Sequence, residues 1–356
     1  MASDFLTDNE TLVADAPRKL FGSSNEAVRS ALNQFEEVAC PLCCVTPVRF
    51  AVDYQGFQLC RCPTCDLQFL SPRPTVEQLT ENVYNETYFS ESESANELAA
   101  ADRYQFGRQL GNFEKFLAGR GTILDVGCGD GSFLRYAQSE GWRVAGTDIR
   151  LAAGARAMSC PLWEGQLQEI DFGGRRFDVV RFNQVLEHTQ NPLLELARSR
   201  ELLNAGGIVF VSVPNIAGLS PRLKSAQSRF HLKRKRWRHY AALHHLWFFS
   251  TDTLQRLVEH AGLRVLHWET PVLKKSGQSS FIERLYRKFL EGSRTASILD
   301  FYCQREETEG ETRGRGDAET RGESKSSHAH STSILPLILF LRRVPASPRL
   351  RVSLCF

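Results

Sequence analysis

The stretch that most restricts this chain is Ile123-Leu-Asp-Val-Gly-Cys-Gly-Asp-Gly-Ser-Phe133. A short apolar run, read as a buried strand, enters a loop with glycine at every second position. An amphipathic pattern over Ser132 to Glu140 then reads as a helix. Glycine at 127, 129 and 131 lets the backbone turn sharply and approach a ligand with no side chain in the way. The free N–H groups at the helix start suit a carboxylate or another polar ligand group.

The segments downstream repeat the alternation. Arg143 to Thr147 and Phe177 to Phe182 read as strands. Asn191 with Pro192 supplies a cap and a first-turn proline for a helix running to about Leu203. After the turn Asn204-Ala-Gly-Gly207 comes a strand, Ile208 to Val213, and Ser250 starts a helix that stops at Gly262. Arg264 to Trp268 and Ile298 to Cys303 read as a final strand pair. Strands alternating with helices predict an α/β fold, doubly wound around a mostly parallel sheet.

A dinucleotide fingerprint of the G-x-G-x-x-G type needs glycine at 132, where this chain has Ser132. Asp148 closes the next strand, where an acidic side chain accepts hydrogen bonds from ribose hydroxyls. Asp125-Val-Gly-Cys-Gly-Asp-Gly131, Asp148, Phe177-Asp-Val-Val180 and Val185-Leu-Glu-His188 together resemble class I S-adenosylmethionine-dependent methyltransferases. The resemblance runs from about Gly121 to Val265 and is nearest to the group with ubiquinone-biosynthesis and small-molecule O-methyltransferases. It implies a seven-stranded Rossmann-like sheet. It also implies that Asp125, Gly127, Gly129 and Gly131 border the methionine part of the cofactor, with Asp148 on the ribose and Ile149 against the adenine. Asn183, at the end of the fourth strand, joins this set. The family's acidic residue near the adenine amine falls here on Gln166.

Ligands of such sheets bind beyond the carboxyl ends of the strands, where Asn183-Gln-Val-Leu-Glu-His188 lies. Methyl transfer is an in-line displacement, and a neutral histidine can take the acceptor's proton near pH 7. His188 is therefore the expected base. Some relatives instead use a Glu-x-x-Glu-His cluster and a later histidine to bind a divalent cation. Here that set reduces to Glu187, His188 and His244 or His245, with Gln184 replacing the first carboxylate. A third reading has Glu187 and His188 only tying the loop to the next helix. Residues 215–249 form a long insertion whose run His231 to Tyr240 interleaves basic and aromatic residues. Such a run can grip phosphates, as in RNA, nucleotide sugars or lipid headgroups, or can be a solvated helix face.

Six of the ten cysteines fall between residues 40 and 65. Cys40-Pro-Leu-Cys43 and Cys62-Pro-Thr-Cys65 supply four thiolates able to close tetrahedrally around zinc, with a hairpin between them that turns near Gln55-Gly56. Four ligands leave no open position, so the zinc is expected to be structural. Cys44 and Cys60 are spare.

The predicted organisation is a flexible arm (residues 1–35), a zinc ribbon (36–75), a helical bridge (76–120), the methyltransferase domain (121–304) and a low-complexity tail (305–356). The net charge of +3 argues for neither nucleic acid nor membrane by itself. No apolar run is long enough to span a membrane and the polar N-terminus lacks signal-peptide features, so the expected location is cytoplasmic, where clustered cysteines point to metal rather than disulfides. The function expected is methyl transfer to a small-molecule oxygen, nitrogen or carbon. An RNA or protein methyltransferase and a non-catalytic cofactor-binding scaffold are the alternatives. The sequence leaves the acceptor and the oligomeric state open.

Overall fold

The computed structural model describes residues 29–83, 100–272 and 281–306. The expected N-terminal arm, except its last few residues, the acidic bridge around Ser90 to Ala95 and nearly all of the tail lie outside these.

The N-terminal part holds β1 (Phe35–Glu36), β2 (Val48–Val52), β3 (Gln58–Arg61), β4 (Gln68–Leu70) and β5 (Arg73–Pro74), then helix α1 (Val76–Asn82). Strands β2 and β3 form the expected antiparallel hairpin, with Gly56 in the left-handed region at its turn. The expected helix before the glycine loop is α2 (Ala100–Phe116).

Next come β6 (Thr122–Val126), α3 (Ser132–Ser139), β7 (Arg143–Asp148), the single turn α4 (Ala153–Arg156), β8 (Leu162–Glu164) and β9 (Phe177–Asn183). They are followed by α5 (Pro192–Glu201), β10 (Leu203–Pro214), α6 (Leu219–Arg229) and β11 (Trp247–Phe248). The last elements are α7 (Thr251–His260), β12 (Leu263–Glu269), α8 (Phe281–Gly292) and β13 (Ile298–Arg305).

Seven strands form one sheet in the order β12-β13-β10-β9-β6-β7-β8. Six run in one direction, and β13 alone is reversed, pairing antiparallel with both β10 and β12. The order reverses between β6 and β9, and at that switch point the glycine loop leaves the sheet. Central strands β6, β9 and β10 are largely apolar and buried on both faces, with Asp125 and Arg181 as buried charges among them. The caps fall where the residues predict them. Asn191 accepts from Leu194 N–H at the head of α5, and Ser250 and Thr253 form a reciprocal capping box on α7.

Two features depart from the sequence expectation. Asn204 to Gly207 do not separate helix from strand; β10 already begins at Leu203, and its pairing with β9 slips across these residues. The insertion is not a bare loop, because it folds α6, a short 3-10 turn (Arg238–Tyr240) and β11. Strand β11 pairs with β4, so the ribbon's sheet reads β11-β4-β3-β2 and the ribbon shares one apolar core with a face of the large sheet.

Candidate functional site

The glycine loop is built as the sequence requires. Gly127, Gly129 and Gly131 have φ of 70°, 54° and 79°, all left-handed. A Cβ on Gly127 would lie 2.5 Å from the Val185 side chain, so the loop packs directly on the turn that carries Glu187 and His188. Above Gly129 there is open space, with no atom within 4 Å of where a Cβ would stand. Asp130 accepts from Ser132 N–H in the turn that leads into α3, whose N-cap is Gly131.

Asp148 ends β7, half-buried. Its Oδ2 accepts from Gly129 N–H at 2.9 Å, which locks the loop to the next strand. Burial pushes its carboxyl up to about 6 against the opposing pull of backbone N–H groups from Gly129, Arg150 and Ile149. Ile149 beside it is 36% exposed. Gln166 is turned to Glu169, while Glu164, opposite Asp148 across β7 and β8, holds Arg156 and Leu151 N–H.

Asp125 does not face open space. It is fully buried and paired with Arg181 of β9, Nη1 to Oδ1 at 2.5 Å. Burial pushes Asp125 up and Arg181 down in proton affinity, although each charge opposes the shift of the other. Arg181 also donates through Nε and Nη2 to Gln109 Oε1 on α2, both at 3.0 Å, and its guanidinium lies 3.6 Å from the Phe133 ring centre. Gln109 in turn donates to Asn183 Oδ1 at 2.9 Å, joined by Gln105 at 3.4 Å. A polar chain thus runs from α2 under the cofactor loop to the end of β9. Sequence reasoning missed Arg181, Gln105 and Gln109. The signal was present: an arginine inside the apolar run Phe177 to Phe182 must find a buried partner.

The turn Leu186–His188 follows β9. His188 Nδ1–H donates to the His244 carbonyl at 2.8 Å, which fixes the tautomer and leaves Nε2 with its lone pair. Desolvation pushes the imidazole down to about 4. Glu187 is 1% exposed, its carboxylate oxygens have no hydrogen-bond partner, and burial pushes it up to about 8. The His245 ring packs edge-on against His188 with centres 4.9 Å apart. Donor atoms of Glu187, His188 and His245 all lie within 4.8 Å of one another. Of the two histidines left open by the sequence, His245 supplies a ring donor and His244 a carbonyl. At the same strand edge, α2 and the end of β12 bound a cavity of about 360 Å³ lined by Tyr104, Arg108, Trp268 and Glu269.

The four knuckle cysteines converge as expected. Cys40, Cys43, Cys62 and Cys65 bring their sulfurs within 4.8 Å of one another, and Cys40 and Cys65 are 3.5 Å apart. Cys60 points away and donates to the Ser71 carbonyl. Cys128, Cys160 and Cys303, outside the ribbon, are free thiols.

A family model described as "Methyltransferase domain" matches residues 98–268. The chain is 30% identical over 169 residues to a ubiquinone biosynthesis O-methyltransferase of Dinoroseobacter shibae, covering 45% of this chain and 65% of that one. It is also 30% identical over 151 residues to the enzyme of that name from Cereibacter sphaeroides, covering 40% and 59%. It therefore spans less than two thirds of either relative. Among solved structures it is similar to the Burkholderia thailandensis 1,6-didemethyltoxoflavin-N1-methyltransferase, at 15% identity and TM-score 0.44 over 74% of this chain and 100% of that one. Residues 98–268 thus match a methyltransferase-domain family, with the glycine-loop motifs seated at the switch point of a seven-stranded sheet.

Proposed function

We propose that this protein transfers a methyl group from S-adenosylmethionine to an oxygen of a small aromatic or sugar-like acceptor. The observation that carries this reading is the contact between Gly127 and Val185. It puts the loop that would hold the cofactor against the turn that carries His188. Asp148 would take the ribose, Ile149 the adenine face, and the space over Gly129 the methionine part. When bound, S-adenosylmethionine supplies a methyl carbon activated by its sulfonium. The protein supplies position, and His188 Nε2 supplies a lone pair for the acceptor's proton. The relatives named as O-methyltransferases support oxygen as the acceptor atom.

A second reading rests on the orphaned Glu187 oxygens. A buried carboxylate with no partner fits a cation, and Glu187 with the Nε2 lone pair of His188 and the ring of His245 offers three donors. A divalent cation there would orient the acceptor oxygen and lower its proton affinity.

The knuckle thiols fit zinc by chemistry and by convergence: four sulfurs and no open position. Such a zinc is structural and takes no part in the transfer.

The test is calorimetric titration with S-adenosylmethionine, followed by methyl-label transfer to a panel of hydroxylated aromatic and sugar acceptors. Absence of cofactor binding in folded, zinc-loaded protein would end this reading.

A further inference from the structure

We propose that the surface made by α6 and the run that follows it docks this protein onto an anionic lipid bilayer. From Arg222 to Arg238 the chain carries eight lysines and arginines, and no aspartate or glutamate occurs from residue 202 to 251. On this cationic stretch Leu223 is 43% exposed, Phe230 70% and Leu232 73%, the last two being the most exposed large apolar residues among the described ones. Positions 223, 226 and 230 recur at helical spacing and form one apolar strip with basic residues at its margins.

The strip is held rather than loose. Trp237 is buried and packs edge-on against Phe50 of the ribbon. Its N–H donates to Ser228 Oγ, and Tyr54 N–H donates to the Arg236 carbonyl. Single exposed apolar side chains need no explanation, but a fixed row of them flanked by cations does. A second row issues from the same edge: Leu285 and Phe289, one turn apart on α8, are 60% and 59% exposed. Leu219 N–H donates to the Thr295 carbonyl, tying the head of α6 to the end of α8.

The charge selects an anionic partner, and the aliphatic side chains select lipid over nucleic acid. Leu223, Leu232 and Leu285 have no ring on which a base can stack, and together with Phe230 and Phe289 they partition into the acyl boundary while neighbouring lysines and arginines meet the phosphates.

This inference does not depend on methyl transfer, and its test reads no activity. The full chain is sedimented with vesicles of pure phosphatidylcholine and of phosphatidylcholine with about a third phosphatidylglycerol, at 0.1 M salt. Binding is expected only to the anionic vesicles. Phe230→Ser with Leu232→Ser should weaken it at least about tenfold. Arg229→Ser, Arg234→Ser and Lys235→Ser together should weaken it about a hundredfold, at roughly fivefold per charge. Absence of binding to the anionic vesicles overturns the proposal, as does equal binding to both kinds or indifference to both variants. Capture of a single-stranded RNA without capture of vesicles also overturns it and assigns the surface to nucleic acid.

Discussion

Replacing Arg181 by methionine removes one half of a fully buried ion pair and strands the other. Asp125 would keep its place at the end of β6 with no counter-charge, and Gln109 would lose both of its donors. Breaking such pairs from one side costs about 3–5 kcal/mol. The loss has a ceiling, because Asp125 can take up a proton instead of remaining charged. From a reference value of 3.8, neutralising a carboxyl costs about 5 kcal/mol at pH 7.5 and about 2 kcal/mol at pH 5.5. The sign follows from linkage. In the variant the folded-state carboxyl sits above its unfolded value, so the destabilisation grows as pH rises above the unfolded value and fades as pH falls. Urea unfolding of Arg181→Met at the two pH values should therefore show a loss of about 4 kcal/mol at pH 7.5 and no more than about 2 kcal/mol at pH 5.5. Adding Asp125→Asn should return much of the loss at pH 7.5 and erase its pH dependence. A loss below about 1 kcal/mol at pH 7.5, or an equal loss at both values, would refute the argument that the pair is a desolvated charge held by its partner.

Asp148→Ala removes the proposed ribose acceptor and should weaken S-adenosylmethionine binding by about 2 kcal/mol, read by calorimetry. Because burial holds the Asp148 carboxyl near 6, protonation below that value should weaken binding of the cofactor to the unsubstituted protein by about tenfold per pH unit. A flat profile from pH 7 to 5 would remove ionised Asp148 from the site. Protein purified without added zinc should carry about one zinc per chain, and Cys62→Ser with Cys65→Ser should lose it, as metal analysis will show. His188→Ala should lower turnover by roughly 10² to 10⁴ with cofactor affinity nearly intact. If chelator abolishes activity and magnesium restores it, Glu187, His188 and His245 are cation ligands; if chelator is without effect while His188→Ala loses turnover, His188 acts as base.

The glycine loop, the capped helices and the two cysteine knuckles were legible because each rests on local chemistry. Left-handed backbone at Gly127, an Asn-Pro helix start and a Cys-x-x-Cys spacing are all written within a few residues. What escaped depends on contacts between segments far apart in the chain. Nothing near Trp247 announces that a two-residue strand will join a sheet begun at Val48. The partner of Arg181 lies 56 residues upstream, and the glutamine that also receives its donors belongs to the helical bridge. The charge inside β9 could have prompted a search for a counter-ion, but not its identity. At His188 the spacing kept both candidate histidines open, and only the fold separated the ring of His245 from the carbonyl of His244.

The union of β11 with the ribbon makes the N-terminal segment a buttress of the reaction edge. Leu70 N–H donates to the Leu246 carbonyl, Leu246 N–H donates to the Glu187 carbonyl, and Arg73 Nη1 donates to the Gln190 carbonyl. Trp247 spans the same junction, with its Nε1 on the Thr189 carbonyl and its ring against Phe69. A methyltransferase fragment cut free at residue 120 would expose the unpaired edge of β11 and the apolar floor beneath it. It would also leave the turn bearing His188 without its outer support. Reciprocity then requires that a zinc steadying the four-cysteine knuckle would also steady the turn, and that a ligand seated on the turn would tighten the knuckle's hold on such a zinc.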